Sequence, residues 1–225
     1  MLEAKKSALF EKLFAIYNKN LLRRRFSSLN VSGFEHLNIK DSSLPCLIFA
    51  NHSSWWDGLV AFQISYFLNL NSYFMMEEKQ LKNLPLFRKL GAFSIVREKP
   101  REALESVNYS VKLLKANSQQ TLWIFPQGEI LPTDARPLKF FNGVSYIVKK
   151  VENCAVVPMA LRYEFLGNFK PEIFVKIGEA ENFSSENGFD KRILTENFTE
   201  KLTDLLDALK NDVVERNFAK YRNIL

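Results

Sequence analysis

The 225-residue chain contains no uninterrupted apolar run near the ~18 residues that a membrane span requires. Its opening, MLEAKKSALFEKLF, interrupts its apolar residues with Glu11 and Lys12, and no small-residue cleavage site follows. It does not read as a secretory signal. The expectation is a protein that stays inside the cell and, where it meets a membrane, lies on the cytoplasmic face as a peripheral or monotopic protein. Cysteine is scarce. Cys46 and Cys154 both sit in apolar, strand-like runs, LPCLIF and NCAVVPM, which excludes a disulfide framework and any metal-ligand spacing. Buried thiols in a reducing compartment are expected, with no metal and no resident cofactor. GxSxG is absent and neither cysteine lies in an exposed elbow, so no built-in nucleophile is visible. Repeats and low-complexity segments are lacking as well.

Lys and Arg total 31 against 25 Asp and Glu, and the excess is clustered, as in LLRRRF. Twenty Phe, seven Tyr and three Trp accompany it. Basic residues with many aromatics suit either nucleic acid or a membrane surface carrying anionic lipid. With no zinc spacing and no KGFGFV-type stacking motif, nucleic acid is set aside. An apolar share of 47% excludes a disordered chain, and the length suits one domain with an appendage.

Residues 8–25, ALFEKLFAIYNKNLLRRR, place Leu9, Phe10, Leu13, Phe14, Ile16, Tyr17, Leu21 and Leu22 largely on one side of a helix. Two readings stand open: a helix packed on the domain, or an interfacial anchor with its arginines on lipid phosphates. The expected division is a membrane-associating helical segment over 1–35 and the main domain over 36–225. SSLNVSGFEHLNIKDSSLP reads as a polar connection with room for a short strand, and after it strands alternate with helices. CLIFA, SYFMM, AFSIV, TLWIF, AVVPMALRY and EIFVKIG read as strands. Helices are expected over 57–70, over EEKQLKNLPLFRKL with a proline kink, over REALESVNYSVKLLKA, over FFNGVSYIVKKV and over a long C-terminal stretch starting at LTENF. This is the pattern of an α/β fold, a layered αβα sandwich around a mostly parallel or mixed sheet.

In such folds sites lie at the carboxyl ends of strands. Two polar clusters fall there: NHSSWWDG after CLIFA, and PQGE after TLWIF. His52 is the natural general base, because histidine titrates near neutrality. An aspartate on one ring nitrogen would fix its tautomer and stabilise the imidazolium. Asp57 stands five residues on, a spacing that does not stack two side chains in a regular helix. The pair therefore needs His52 in a turn and Asp57 at the helix start. The competing reading is that Asp57 only caps the helix. A His–Asp pair without its own nucleophile implies that the substrate, or water, supplies the hydroxyl. Of the adjacent Trp55 and Trp56, one is expected to pack in the core and the other to line an acyl path or face lipid. LFEKLF, YFLNLNSYFMM and LPLFRKLGAF offer walls for an acyl groove or, equally, core residues.

NHSSWWD resembles the first motif of the glycerolipid (lysophosphatidic acid, 1-acylglycerol-3-phosphate) acyltransferase family. GAFSIVR at 91–97, FPQGE at 125–129 and VVPMAL at 156–161 resemble its second, third and fourth motifs, in that family's order. The resemblance implies lipid biosynthesis. An acyl group passes from an acyl thioester (acyl-CoA or acyl-carrier protein, as co-substrate) to a lipid hydroxyl, lysophosphatidate-like or another lipid or glycolipid acceptor. It implies His52 as general base and Asp57 as its partner, with Asn51 beside them. It implies Arg97 on an acceptor phosphate, a role that suits a guanidinium. Backbone amides around Gly128 are the expected oxyanion donors. The third motif departs from the family's Glu-Gly-Thr-Arg: this chain has Gln127, Gly128, Glu129 and Ile130. A neutral amide replaces the Glu, an isoleucine replaces the Arg, and a new carboxylate appears. Arg136 is the candidate to replace the lost arginine, and Lys139 in RPLKFFNG is a further candidate donor. Two alternatives of other classes stand beside the acyltransferase: a non-catalytic lipid-binding or membrane-remodelling protein, and a thioesterase or lipid hydrolase.

Overall fold

The computed structural model describes residues 1–37, 44–184 and 190–225. Helix α1 (Ala8–Arg25) leads into β1 (Ser28–Ser32). Then follow β2 (Cys46–Ala50), α2 (Asp57–Phe67), β3 (Asn71–Glu77), α3 (Glu78–Asn83), β4 (Ala92–Ile95), α4 (Pro100–Ala116) and β5 (Gln120–Ile124). The chain continues through α5 (Gly143–Val151), β6 (Cys154–Glu164), β7 (Glu172–Ile177), β8 (Glu181–Phe183), α6 (Lys191–Val214) and β9 (Arg222–Asn223). The α/β expectation holds: among the described residues the strands form one nine-stranded sheet in the order β4-β3-β5-β2-β6-β7-β1-β9, with β8 beside β6. Strands β4, β3, β5, β2 and β6 are mutually parallel, while β7, β8 and β9 pair antiparallel with a neighbour.

Strand β2 is apolar throughout because both of its faces are covered. Leu47 and Phe49 pack into a core with residues of α4, α5 and α6, while Cys46, Ile48 and Ala50 pack with residues of α1 and α2 on the other face. Burial pushes both thiols up, that of Cys154 to about 12, so neither is a ready nucleophile. From β2 the chain crosses to β3 on one side, and from β5 it crosses to β6 on the other. The loops after these two adjacent strands thus part at their carboxyl ends, where a crevice opens.

Several boundaries differ from the sequence pattern; α2 stops at Phe67 rather than Leu70, and α5 starts at Gly143 rather than Phe140. EEKQLKNLPLFRKL is not one kinked helix. It splits into α3 and a 3-10 helix over Pro85–Leu90, separated by Leu84 at φ −123°, ψ 57°. The residue before a proline is sterically disfavoured in the α region. Helix α6 starts before LTENF, at Lys191, because Asp190 caps it by accepting from the Arg192 and Ile193 amides. It ends at Val214, whereas the helical pattern in the sequence runs on through ERNFAKY to Tyr221. Strand β1 is the short strand that the polar connection has room for; residues 38–43 of that connection fall outside the described residues.

Helix α1 has two unlike faces. Ala15, Asn18 and Leu22 are buried, with Asn18 Nδ2 donating to the Leu59 carbonyl oxygen and Gln63 Oε1 of α2. Phe14 packs edge-on against Phe62 and Phe87. Leu9, Leu13, Ile16 and Tyr17 remain exposed on a single stripe. Helix α2, enclosed between α1 and the sheet, buries residues around most of its circumference. The two faces predict different costs of truncation. Leu22→Ala should lower the unfolding free energy by about 2–5 kcal/mol, whereas Leu13→Ala should stay within about 0.5 kcal/mol, both read from urea denaturation.

Candidate active site

Strand β2 pairs with β6 as far as Ala50 beside Met159. Asn51 then continues the ladder with its side chain: Oδ1 accepts from the Leu161 amide at 2.7 Å, and Nδ2 donates to the Leu161 carbonyl at 3.0 Å. Both polar atoms are occupied by main chain, so Asn51 anchors the turn rather than presenting itself to the cleft. Freed from the sheet, residues 51–56 turn and α2 begins at Asp57.

Asp57 is completely buried. Its Oδ2 accepts from the Ser53 amide at 2.7 Å, the Ser54 amide at 2.9 Å and His52 Nδ1 at 2.8 Å. Its Oδ1 accepts from the Tyr163 hydroxyl at 2.6 Å. The capping and pairing readings therefore merge. The carboxylate does not cap the following amides of α2; it closes the preceding turn and holds the ring with the same oxygen. An ionised carboxylate only accepts, so Nδ1 carries a proton, and in the neutral imidazole Nε2 keeps its lone pair. The His52 side chain is 21% exposed and lines a cleft. The Phe125 ring, at the end of β5, stacks on the imidazole with centroids 4.7 Å apart.

The loop after β5 grips the His52 main chain from both sides. Gln127 Oε1 accepts from the His52 amide at 2.8 Å, and the Leu131 amide donates to the His52 carbonyl at 2.9 Å. Gln127 is buried at 4% exposure, so this residue too positions the histidine from beneath. Gly128 has φ +73°, and a Cβ there would stand 2.5 Å from Arg97 Nη1 and 2.8 Å from the Phe141 ring. Glycine is required by conformation and by space. Its own amide donates to the Phe125 carbonyl at 3.0 Å, which takes it out of the expected set of oxyanion donors.

Arg97 lies over the Phe141 ring at 5.9 Å and lines the cleft with His52, Glu129 and Ile130. Arg136 does not join them. Its guanidinium is held by Asp207 of α6 at 2.7 Å and by the Thr133 and Ala135 carbonyls. Lys139 is exposed and is not among the cleft-lining residues. The cleft holds about 690 Å³ and is chiefly apolar. Phe14, Phe74, Met76 and Phe87, from the three aromatic stretches singled out in the sequence, line it, as does Trp55. Trp55 is 53% exposed, while Trp56 packs edge-on against Phe26 at 5.2 Å.

Sequence reasoning did not find Tyr163 or Phe125. Tyr163 stands two residues beyond Leu161 on β6, and the alternation of a strand puts the two on one face. Only the parallel pairing of β6 with β2, invisible in the sequence, carries that face to Asp57. Burial first, and the negative Asp57 second, push the Tyr163 hydroxyl well above the ordinary tyrosine range, so it stays a donor. Among the described residues no group of three or more His, Cys, Asp or Glu is placed to hold a metal ion, and no helix is long and apolar enough to cross a membrane.

The Acyltransferase family model matches residues 28–162, a stretch that contains His52, Asp57, Arg97 and the whole Gln127 loop. No curated protein matches the chain. The clamp on His52 makes a prediction independent of any substrate. Gln127→Ala removes the acceptor of the part-buried His52 amide and should lower the unfolding free energy by about 1 kcal/mol in urea titration.

Proposed function

Because the chain belongs to the glycerolipid acyltransferase family, we propose that it moves a fatty acyl group from an acyl thioester to the hydroxyl of a lipid acceptor at a membrane surface. The observation that carries this reading is the 2.8 Å contact between His52 Nδ1 and the buried Asp57 carboxylate, beside a chiefly apolar cleft.

The proton inventory of the pair determines the chemistry. Nε2 accepts the proton of the acceptor hydroxyl as its oxygen attacks the thioester carbonyl. Asp57 stabilises the imidazolium so formed. The tetrahedral intermediate collapses by breaking the carbon–sulfur bond, and the imidazolium returns its proton to the departing thiolate. No acyl-enzyme is needed, since the nucleophile belongs to the acceptor. The apolar walls given by Phe14, Phe74, Met76 and Phe87 suit an acyl chain, and they exclude water that would compete for the thioester.

At the acceptor end Arg97 is the guanidinium in the cleft, held in orientation by Phe141 and by the space over Gly128. It suits the phosphate of a lysophosphatidate-like acceptor or another anionic lipid headgroup. The donor is an acyl-CoA or an acyl-carrier protein.

The exposed stripe of Leu9, Leu13, Ile16 and Tyr17 on α1, ending in exposed Arg23, Arg24 and Arg25, supports a peripheral seat on anionic lipid. Phe14 of the same helix lines the cleft, so a bilayer under α1 would lie close to the acyl path. Leu13→Glu with Ile16→Glu should therefore abolish co-sedimentation with vesicles containing anionic lipid while leaving the circular dichroism spectrum unchanged. Retained sedimentation would remove α1 from that role.

Incubation with radiolabelled acyl thioester and a total lipid extract tests the reaction. Thiol release and a labelled lipid are expected, both dependent on added acceptor. His52→Ala should reduce turnover by at least ~10²-fold, the low end of what a general base contributes. Arg97→Ala should raise KM for a phosphorylated acceptor about tenfold or more, the loss of a charge-assisted contact. Release of free fatty acid without any acceptor would instead identify a thioesterase.

A further inference from the structure

Asp57 shares its hydrogen bonds unevenly. Three donors converge on Oδ2, and all three come from the turn itself, residues 52–54. Oδ1 receives one hydrogen bond among the described residues, from Tyr163, and Tyr163 comes from another element altogether. Strand β6 delivers it. The β2–β6 ladder ends at Met159, Asn51 fixes Leu161, and β6 runs on to Glu164 beyond the end of β2. The Tyr163 ring is seated against Phe26, the residue that ends α1, with centroids 5.7 Å apart, and Phe26 in turn meets Trp56 edge-on. At 2.6 Å the contact is a short, charge-assisted O–H···O⁻ bond.

We propose that Tyr163 is a positioning residue for the His52–Asp57 pair. Its hydroxyl holds the carboxylate oxygen that the turn leaves open and draws charge from it, and so sets how strongly Asp57 retains a proton on His52. This rests on the acyl-transfer reading for its kinetic consequence only; the hydrogen-bond relay stands on geometry. A carboxylate that gives part of its negative charge to Tyr163 is a weaker acceptor for the Nδ1 proton. Without that donor, Asp57 holds the imidazolium more tightly, and the ring gives up its proton at a higher pH. The charged groups that share the cleft with His52 are Glu77 at the end of β3, Arg97 after β4, Glu129 after β5 and Lys191 of α6. All are unchanged by a substitution at 163, so the difference between variant and wild type isolates the hydroxyl.

Two variants bracket the effect. Tyr163→Phe removes the donor and keeps the ring. Replacement of Tyr163 by 3-fluorotyrosine keeps shape and hydroxyl but makes a stronger donor. The primary measurement is the NMR titration of His52 in the substrate-free protein. His36, whose Nδ1 lies 2.9 Å from the Ile177 carbonyl oxygen, serves as internal reference. Tyr163→Phe should move the His52 midpoint up by about half a unit to one unit, and 3-fluorotyrosine should move it down. The acid limb of the kcat/KM profile should follow in each case, with kcat falling about tenfold in Tyr163→Phe and KM little changed. A His52 midpoint equal to wild type in both variants, or shifted in the opposite sense, overturns the proposal, even if activity falls, because a loss of packing alone would lower activity without moving the titration. Should Tyr163→Phe not fold, the fluorinated variant decides by itself. Should the wild-type protein transfer no acyl group, the acyl-transfer reading fails while the NMR titration still tests Tyr163.

Discussion

A carboxylate shut away from water must find its donors inside the protein, and Asp57 finds four. A buried, ionised group without such partners would cost several kcal/mol, so the surrounding chain has to conform to it. Much of the local architecture is this accommodation. The turn after β2 folds back so that the Ser53 and Ser54 amides reach Oδ2. Helix α2 begins where it does because Asp57 must face that turn. Strand β6 outruns β2 so that Tyr163 reaches Oδ1. The imidazole is therefore one of several groups tied to a single anion, and its orientation follows from a network that would hold without any substrate.

The histidine is fixed as firmly through its backbone as through its ring. The Gln127 side chain and the Leu131 amide take its N–H and its C=O, and Phe125 covers one ring face. All three come from the end of β5 and the loop after it, so the parallel pairing of β2 with β5 is what assembles the site. Two loops that leave adjacent strand ends in opposite directions are brought face to face. The opening between them becomes the cleft, with α1 and α2 on one side and α4 and α5 on the other.

The alternation of strands and helices, the His–Asp turn and the existence of the first helix were legible because each depends on local pattern: apolar runs with breakers between them, a histidine and an aspartate five apart, and a 3.6-residue periodicity. Which side of that helix packs was not: Leu22, grouped in the sequence with Leu9 and Leu13, is buried beside Asn18 while those two are exposed. What was not legible depends on tertiary placement or on local dihedral angles. Asn51 read as part of a substrate-binding set, yet its partner is the Leu161 backbone, 110 residues away. Arg136 read as a substitute phosphate contact, yet it is bound to Asp207 of α6. Gly128 read as an oxyanion donor, yet its amide closes its own turn, a matter of dihedral angles that the residue type permits without dictating. The split at Leu84 was half legible: the proline marked the place, and the steric rule for the preceding residue explains why a break rather than a kink results.

The altered third motif divides into two changes of different kind. At position 127 the side-chain oxygen faces a backbone N–H, and an amide oxygen accepts from it as a carboxylate oxygen would. Exchanging Glu for Gln there removes a buried charge without removing the contact, so it leaves the seat of His52 intact. At positions 129 and 130 the side chains line the cleft instead. A carboxylate and an isoleucine now stand where the family pattern has a hydroxyl and a guanidinium, and Arg136 does not supply the missing positive charge. The geometry of the His52–Asp57 pair and of its seat is thus compatible with the departure, while the electrostatics of the cleft are changed by it. Under the acyl-transfer reading, the residues that activate the hydroxyl and the residues that select its owner are separable: the first set lies at 52, 57 and 127, the second at 97, 129 and 130.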